Sequence, residues 1–127
     1  MFSDLDRQML VVPVTLFAGA LTIAGSETTK DEICLLRMPT NGIVRGWTAS
    51  YTDEAGTAPV LDLTLERGTT VLDTLAQLTT NETAATNTGL NIAVSEGDVL
   101  NVKGDVNNTD NAFDGLLIVL YWQPLAN

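Results

Sequence analysis

The sequence predicts an all-β protein, an antiparallel β-sandwich of the jelly-roll type, and three observations support this. Apolar and polar residues alternate along much of the chain, most clearly over 61–66, 90–95 and 100–103. A period of two over such runs is the signature of a half-buried strand. Turn-forming Gly, Asn and Asp residues separate the runs, and new runs begin about every 10 residues, a spacing typical of antiparallel sandwiches and barrels.

Nine strands are predicted in order along the chain. They cover residues 10–17, 19–24, 32–38, 43–52, 59–66, 70–75, 89–95, 98–106 and 115–123. The turns between them carry residues that tolerate a positive φ or close a turn with their own side chains, such as Asn41-Gly42 and Arg67-Gly68. We assign 1–17 to an N-terminal arm or first edge strand, and 18–127 to the sandwich domain.

One of these strands has a helical alternative. Thr70 and Asp73 match a helix capping box, and Leu72, Leu75 and Ala76 would share one helical face. The β pattern on both sides and the threonine content favour a strand.

The apolar stretch 9–25 resembles the core of a signal peptide, but its surroundings argue against that function. The preceding residues carry two acids and one base, whereas a signal peptide begins with net positive charge. Pro13 interrupts the stretch, which is also shorter than the ~20 residues of a membrane-spanning helix. We expect no cleaved signal, no transmembrane helix and no membrane partner.

Charge and composition exclude several functions. The 127 residues carry a net charge of −10, which disfavours nucleic acid and anionic membranes as partners. Histidine is absent, so catalytic triads and metal sites that use histidine are excluded. The single cysteine, Cys34, excludes an internal disulfide and a cysteine-rich zinc site. Only 17% of residues are charged and 45% are hydrophobic, so we expect apolar surface that is left over for a partner.

Three predicted strands, 10–17, 32–38 and 115–123, are apolar on both faces, although a sandwich strand needs only one apolar face. The second face therefore needs a cover. Either a loop or the N-terminal segment of the same chain covers it, or a neighbouring subunit does, and the low charge content favours the subunit. The predicted subunit interface consists of Leu117, Val119, Tyr121, Leu36 and Met38.

No residues are assigned to catalysis, to a cofactor or to a metal. Cys34 lacks a histidine to activate it, and its apolar neighbours indicate a small buried hydrophobe. Asp62 and Glu66 share a strand face, as a glycosidase pair would, but alternating acids on the water side of a strand are more typical of charges that prevent edge pairing. The segment 105–110 is rich in oxygen ligands, yet it departs from the EF-hand pattern and is interpreted as a turn, with cation binding left open.

The few aromatic residues allow a second function. Trp47 and Trp122 are in phase with apolar neighbours, which predicts burial. Tyr51 and Phe113 lie closer to turns and are the better candidates for surface contact. Exposed aromatic side chains of this kind would suit a carbohydrate- or receptor-binding module.

The first ten residues mix apolar and charged side chains ahead of the first strand. Ser3 can cap a short helix over 4–9. Such a segment can dock on another protein as an arm, and simple fraying of the chain end is the alternative. The residues assigned to the arm are Phe2, Leu5, Met9, Leu10 and Val12.

Four segments together form a recognisable pattern that spans roughly residues 42 to 124. They are Gly46-Trp47-Thr48-Ala49, Ala58-Pro59-Val60-Leu61-Asp62-Leu63, Gly97-Asp98-Val99-Leu100, and Asp114-Gly115 followed by 116–121. In this pattern the chain resembles the capsid decoration proteins of bacteriophages, which are also called cement or head-stabilising proteins. The resemblance implies a β-sandwich subunit, often a homotrimer, that sits on the capsid exterior, bridges major capsid proteins and has no catalytic residues.

The hypothesis taken from the sequence is a structural virion protein without a cofactor. Its partners would be further copies of itself and the major capsid protein, and it would be made in the host cytoplasm and located on the capsid surface. Self-association is predicted through 115–123, and attachment to the capsid through 1–17. The alternative is a carbohydrate- or receptor-binding jelly-roll module of a phage fibre or tail.

Overall fold

A computed structural model describes residues 10–23 and 27–125, and these residues form ten strands. The strands are β1 (Val12–Thr22), β2 (Thr29–Arg37), β3 (Gly42–Ser50), β4 (Asp53–Ala55), β5 (Val60–Arg67), β6 (Thr70–Thr74), β7 (Leu78–Thr79), β8 (Ala84–Val94), β9 (Val99–Val106) and β10 (Ala112–Pro124). Over the described ranges no helix is present, and so none there is long and apolar enough to cross a membrane.

The strands form two sheets, which we call sheet A and sheet B. The strand order in sheet A is β1-β10-β3-β8, with the short β4 beside β10. The order in sheet B is β2-β9-β5-β6, with the short β7 beside β5. All of these pairings are antiparallel. Eight longer strands, four to each sheet and mostly alternating between sheets along the chain, are the jelly-roll arrangement, so the predicted β-sandwich is confirmed.

The core lies between the sheets and is built from the apolar half of each alternation. Leu61, Leu63 and Leu65 of β5 are at most 1% exposed, and Trp47 of β3 is fully buried. Full burial of each leucine side chain contributes about 1.5–3 kcal/mol to the stability of the fold. Trp122 is 8% exposed, so the predicted burial of both tryptophans is confirmed.

Strand β1 differs from its prediction, because the two predicted strands 10–17 and 19–24 form one continuous strand. Its pairing with β10 shifts register between Thr15 and Phe17 and again after Gly19. An extra residue at each bulge changes the phase of the alternation while the strand stays paired. From sequence alone, that change of phase looks like a break between two strands.

Other differences concern short strands and strand ends. Strand β8 begins at Ala84, five residues before the predicted start at 89, because its first residues do not alternate between apolar and polar. Strands β4 and β7 have three and two residues and were not predicted. Thr70–Thr74 is a strand, so the strand is confirmed over the helical alternative.

Candidate protein interface

Strand β10 turns one face to the core and the other outward. Its even-numbered residues from Leu116 to Trp122 are buried, whereas Leu117 is 40% exposed and Val119 and Tyr121 are half-buried. These three side chains therefore point away from the core, as the sequence predicted. Their use as a subunit contact stays a prediction.

The residues that lie opposite these three on both sides of β10 are all uncharged. Thr15 of β1 and Thr48 of β3 lie directly opposite Val119, and residues that are directly opposite share a face of the sheet. Ser50 of β3 lies opposite Leu117 in the same way. The outer face of sheet A is therefore uncharged around the middle of β10.

The two sheets differ strongly in charge. The four long strands of sheet A carry two charged residues, Arg45 and Asp114. Surfaces that face water normally carry many charges, so a sheet face with few of them is a candidate for contact with another protein. The four longer strands of sheet B carry ten, namely Lys30, Asp31, Glu32, Arg37, Asp62, Glu66, Arg67, Asp73, Lys103 and Asp105.

Arg45 occupies a β-bulge in β3. In the pairing with β10, Val44 lies opposite Trp122 and Gly46 lies opposite Tyr121, so that Arg45 has no partner residue. Bulges of this kind re-aim a side chain relative to the regular alternation. The bulge places the arginine beside the outward-facing Tyr121.

Two neutral side chains hold the guanidinium of Arg45. Its Nε donates a hydrogen bond to Gln123 Oε1 at 2.8 Å, and its Nη1 donates one to Asn91 Oδ1. No carboxylate of the described residues lies within 4.0 Å of the Arg45 guanidinium. The ion pair found at that distance among these residues joins Arg67 and Asp98. Among the described residues, the cation is therefore held in position by neutral partners.

The opposite end of the same face carries two carboxylates. Asp53 of β4 lies directly opposite Asp114 of β10, and both residues are exposed. The preceding residue of β10, Phe113, is fully buried, so the two aspartates face outward. Like charges that are directly opposite repel each other, and this end of the face therefore favours the approach of a cation.

The structure corrects two of the predicted interface residues. Met38 is 1% exposed and belongs to the core, and Leu36 is partly buried against that core. The outward apolar residue of this strand is Leu35, which is 58% exposed. The prediction was wrong because both faces of this strand are apolar, and the sequence pattern does not show which face is inside.

The residues assigned to the N-terminal arm are only partly described. Phe2, Leu5 and Met9 lie outside the described residues. Leu10 is 59% exposed. Val12 begins β1 and pairs with Trp122, so it lies in an edge strand of sheet A, one of the two possibilities given for 1–17, and its use in binding the capsid stays a prediction.

An open groove of about 520 Å³ lies on the outer face of sheet B. Its lining includes Leu35 and several acids but no aromatic side chain. Glu66 lines it and accepts a hydrogen bond from Asn101 Nδ2 at 3.1 Å. Asp62 is four residues earlier on the same strand, so the two Cα atoms are roughly 13 Å apart. Asp62 is not among the residues that line the groove.

Tyr51 and Phe113, which were predicted as surface contacts, are core residues. Tyr51 is 5% exposed and Phe113 is fully buried. Their rings pack edge to face with the centroids 5.0 Å apart, and the Tyr51 hydroxyl donates to the backbone carbonyl of Thr79. The two residues offer no aromatic surface to a sugar, because strands far apart in sequence bring them together in the core.

Cys34 is partly buried against the core. Burial disfavours the thiolate and raises the pKa of Cys34 to about 11, although a hydrogen bond from the Val102 backbone acts in the opposite direction. The residue is therefore an uncharged thiol near neutral pH, and a thiol is a poor nucleophile.

The oxygen-rich segment 105–110 consists of the last two residues of β9 and a turn over 107–110, and the side chain of Asn107 connects this turn to the start of β5 and the residues before it. Asn107 Oδ1 accepts a hydrogen bond from the Val60 N–H at 2.9 Å, and Asn107 Nδ2 donates to the carbonyl of Ala58 at 3.0 Å. The prediction of a turn is confirmed over 107–110. Within residues 10–23 and 27–125, no three Cys, Asp or Glu side chains form a cluster that could hold a metal ion.

Comparison with known proteins finds a distant structural likeness. No family model matches the chain, and no curated protein matches it. Among solved structures, a chain of the cyanophage Pam1 capsid asymmetric unit is similar, with 20% sequence identity and a TM-score of 0.47. The match covers 90% of this chain and 84% of that chain. A likeness at this level leaves the function to be argued from the residues themselves.

Proposed function

We propose that this protein is a structural subunit of a bacteriophage virion, a capsid decoration protein that binds the outside of the capsid and stabilises joints between major capsid proteins. The observation that supports this most directly is the outer face of sheet A, with Leu117, Val119 and Tyr121 at its middle and few charges around them. The resemblance of the segments between 42 and 124 to decoration proteins indicates that the partner of this face belongs to a phage capsid.

The difference in charge between the sheets suits a subunit that has one side against protein and the other against water. Sheet B carries most of the strand charges and keeps the outer surface hydrated. Burial of the sheet A face gains about 25 cal/mol per Å² of apolar area, most of which is offset by lost freedom and desolvation. A small net gain is sufficient because a capsid binds many copies.

The proposed function is non-enzymatic and requires no cofactor. Cys34 is held as a thiol, and of the two acids Asp62 and Glu66 only Glu66 lines the groove on sheet B. The proposed partners are further copies of the chain, as a homotrimer according to the resemblance, and the major capsid protein. The net charge of −10 disfavours nucleic acid and membranes. The proposed location is the virion surface, after synthesis in the host cytoplasm.

The carbohydrate- or receptor-binding alternative loses its main support. It required exposed aromatic side chains near Tyr51 and Phe113, and both are buried. The groove on sheet B lacks aromatic lining residues as well. No observation among the described residues favours this alternative.

The test places one charge at a time on each outer face. Leu117→Asp and Tyr121→Asp alter the face of sheet A, and Leu35→Asp is the matched control on sheet B. We expect the two sheet A variants to lower the mass measured by multi-angle light scattering and to weaken binding to undecorated capsids at least tenfold. The control should behave like the unchanged protein, and circular dichroism verifies that each variant is folded. Unchanged mass and unchanged capsid binding in both sheet A variants would overturn the proposal.

A further inference from the structure

We infer that the outer face of sheet A is self-complementary and binds a second copy of this chain face to face about a two-fold axis. The inference rests on the proposed use of this face for self-association. It gives a two-fold pair where the resemblance implies a homotrimer, and it leaves the contact with the capsid to surfaces outside this face. It is carried by the order of three features along the face: the cation of Arg45, the apolar residues of β10, and the carboxylates of Asp53 and Asp114.

The charges lie at the two ends of one face. Arg45 is beside Tyr121, and Asp114 is seven residues earlier on β10. At about 3.3 Å per residue, the two ends are roughly 23 Å apart along the strand. The midpoint between them falls between Leu117 and Val119, the outward apolar residues of β10. The face is therefore apolar at its centre and oppositely charged at its ends.

A two-fold contact brings the same patch together from both copies. When the axis lies between the two faces and runs across the strands near Leu117, the Arg45 end of one copy covers the Asp53 and Asp114 end of the other. The pairing occurs twice, once at each end. An axis along the strands would instead place like charges over each other, and their repulsion disfavours that arrangement.

The charged groups at both ends are available for such a contact. Arg45 is held by Gln123 and Asn91 without a carboxylate within 4.0 Å, and neither Asp53 nor Asp114 has a cation at that distance, as far as the described residues show. An arginine that is already held in position loses little side-chain freedom on binding. A cation placed between the two aspartates also relieves their mutual repulsion. Both ends of the face thus gain from the same contact.

The residue types and the size of the face agree with a protein contact. Arg and Tyr are enriched among the residues that dominate binding energy, and Arg45 and Tyr121 are neighbours here. Four strands about 4.8 Å apart and roughly 30 Å long give a flat footprint of about 600 Å². A standard interface buries ~800 Å² of accessible surface from each partner, and protruding side chains raise the accessible area above the flat footprint.

The experiment exchanges the charges at the two ends. Arg45→Glu alters one end, and Asp114→Arg with Asp53→Asn alters the other. We expect the unchanged protein to have a mass close to twice 13.5 kDa by multi-angle light scattering. Each altered end should raise the dissociation constant of the pair at least tenfold, and the combination of both should return it to within about threefold of the original value. Lys103→Glu with Asp62→Arg makes an equivalent exchange on sheet B and should have no effect.

The outcomes separate this inference from the proposed function. A mass near three times 13.5 kDa would overturn the two-fold contact and support the proposed use of the face. The same conclusion would follow if Leu117→Asp dissociated the pair and Arg45→Glu did not. A monomer that binds capsids through the same face would also overturn the two-fold contact alone. A folded monomer that does not bind capsids would overturn both. If the variants of each end weaken the pair separately and their combination does not restore the dissociation constant, the proposed pairing of charges is contradicted.

Discussion

The indole Nε1–H of Trp47 in sheet A donates a hydrogen bond to Asp73 Oδ2 in sheet B at 2.7 Å. Asn87 Nδ2, on the neighbouring strand of sheet A, donates to the same oxygen at 2.7 Å. Because Trp47 is fully buried, its N–H needs a partner inside the protein, and the carboxylate supplies one. One carboxylate oxygen therefore connects β3 and β8 of one sheet with β6 of the other.

Removal of that carboxylate should destabilise the sandwich. We expect Asp73→Ala to lower the free energy of unfolding by about 1–3 kcal/mol, because the buried indole N–H of Trp47 loses its acceptor. The matched control is Glu96→Ala, which removes an exposed acid and should change stability by less than about 0.5 kcal/mol. Urea denaturation followed by tryptophan fluorescence measures both. An Asp73→Ala variant as stable as the control would show that this bond does not connect the sheets energetically.

The close approach of Gly42 to Trp122 gives a second prediction. A Cβ at position 42 would clash with the indole Nε1 of Trp122 and lie 2.7 Å from the carbonyl oxygen of Gln123. We expect Gly42→Ala to cost about 1–3 kcal/mol through overpacking.

Gly68 is the matched control for this effect. It has a φ of +62° with open space around it, so Gly68→Ala should cost roughly 1 kcal/mol through backbone strain alone. Asparagine tolerates this backbone conformation, so Gly68→Asn should cost less than Gly68→Ala, whereas Gly42→Asn should cost more than Gly42→Ala. Thermal unfolding of the four variants compares them, and a Gly42→Asn variant at least as stable as Gly42→Ala would contradict a steric cause at Gly42.

The buried thiol of Cys34 gives a pH-dependent prediction. Its pKa is raised from 9.0 to about 11 in the folded protein, so the folded state keeps a proton that the unfolded state loses between these pH values. The stabilising contribution is therefore complete below pH 9 and is lost as the pH rises towards 11. We expect the free energy of unfolding to fall more steeply above pH 9 in the unchanged protein than in Cys34→Ala. Other groups titrate in both proteins, so the difference isolates Cys34, and parallel curves would contradict the raised pKa.

Much of the fold could be predicted because strand periodicity is local. The alternation along β5 identified its buried leucines, because polar residues lie between them and residues two apart share a face whatever they pack against. The same locality explains the failures. Trp47 and Asp73 are 26 residues apart, and no local pattern reports a hydrogen bond between two sheets. Burial of Phe113 likewise depends on how its strand packs across the core.

Some residues of the candidate interface could be predicted from the sequence and others could not. Leu117 and Tyr121 could be identified from the sequence, because they lie on the opposite face of β10 from Trp122, whose burial was also predicted. Arg45 could not, because its outward position depends on a bulge that exists only when β3 is paired with β10. Met38 was assigned to the wrong side because either face of its strand could have been the inner one.

Two adjacent leucines of β10 separate core packing from surface contact. Leu116 is fully buried, so Leu116→Ala should lower the free energy of unfolding by about 2–5 kcal/mol through lost burial and a cavity. Leu117 is 40% exposed, so Leu117→Ala should cost the isolated chain less than about 1 kcal/mol while it weakens self-association. Association adds to apparent stability by mass action, so urea denaturation should be run at several protein concentrations. The unfolding midpoint of Leu117→Ala should depend less on concentration than that of the unchanged protein, because its outward methyl groups contribute to the contact between chains. Equal losses for the two variants at every concentration would mean that Leu117 is packed within its own chain.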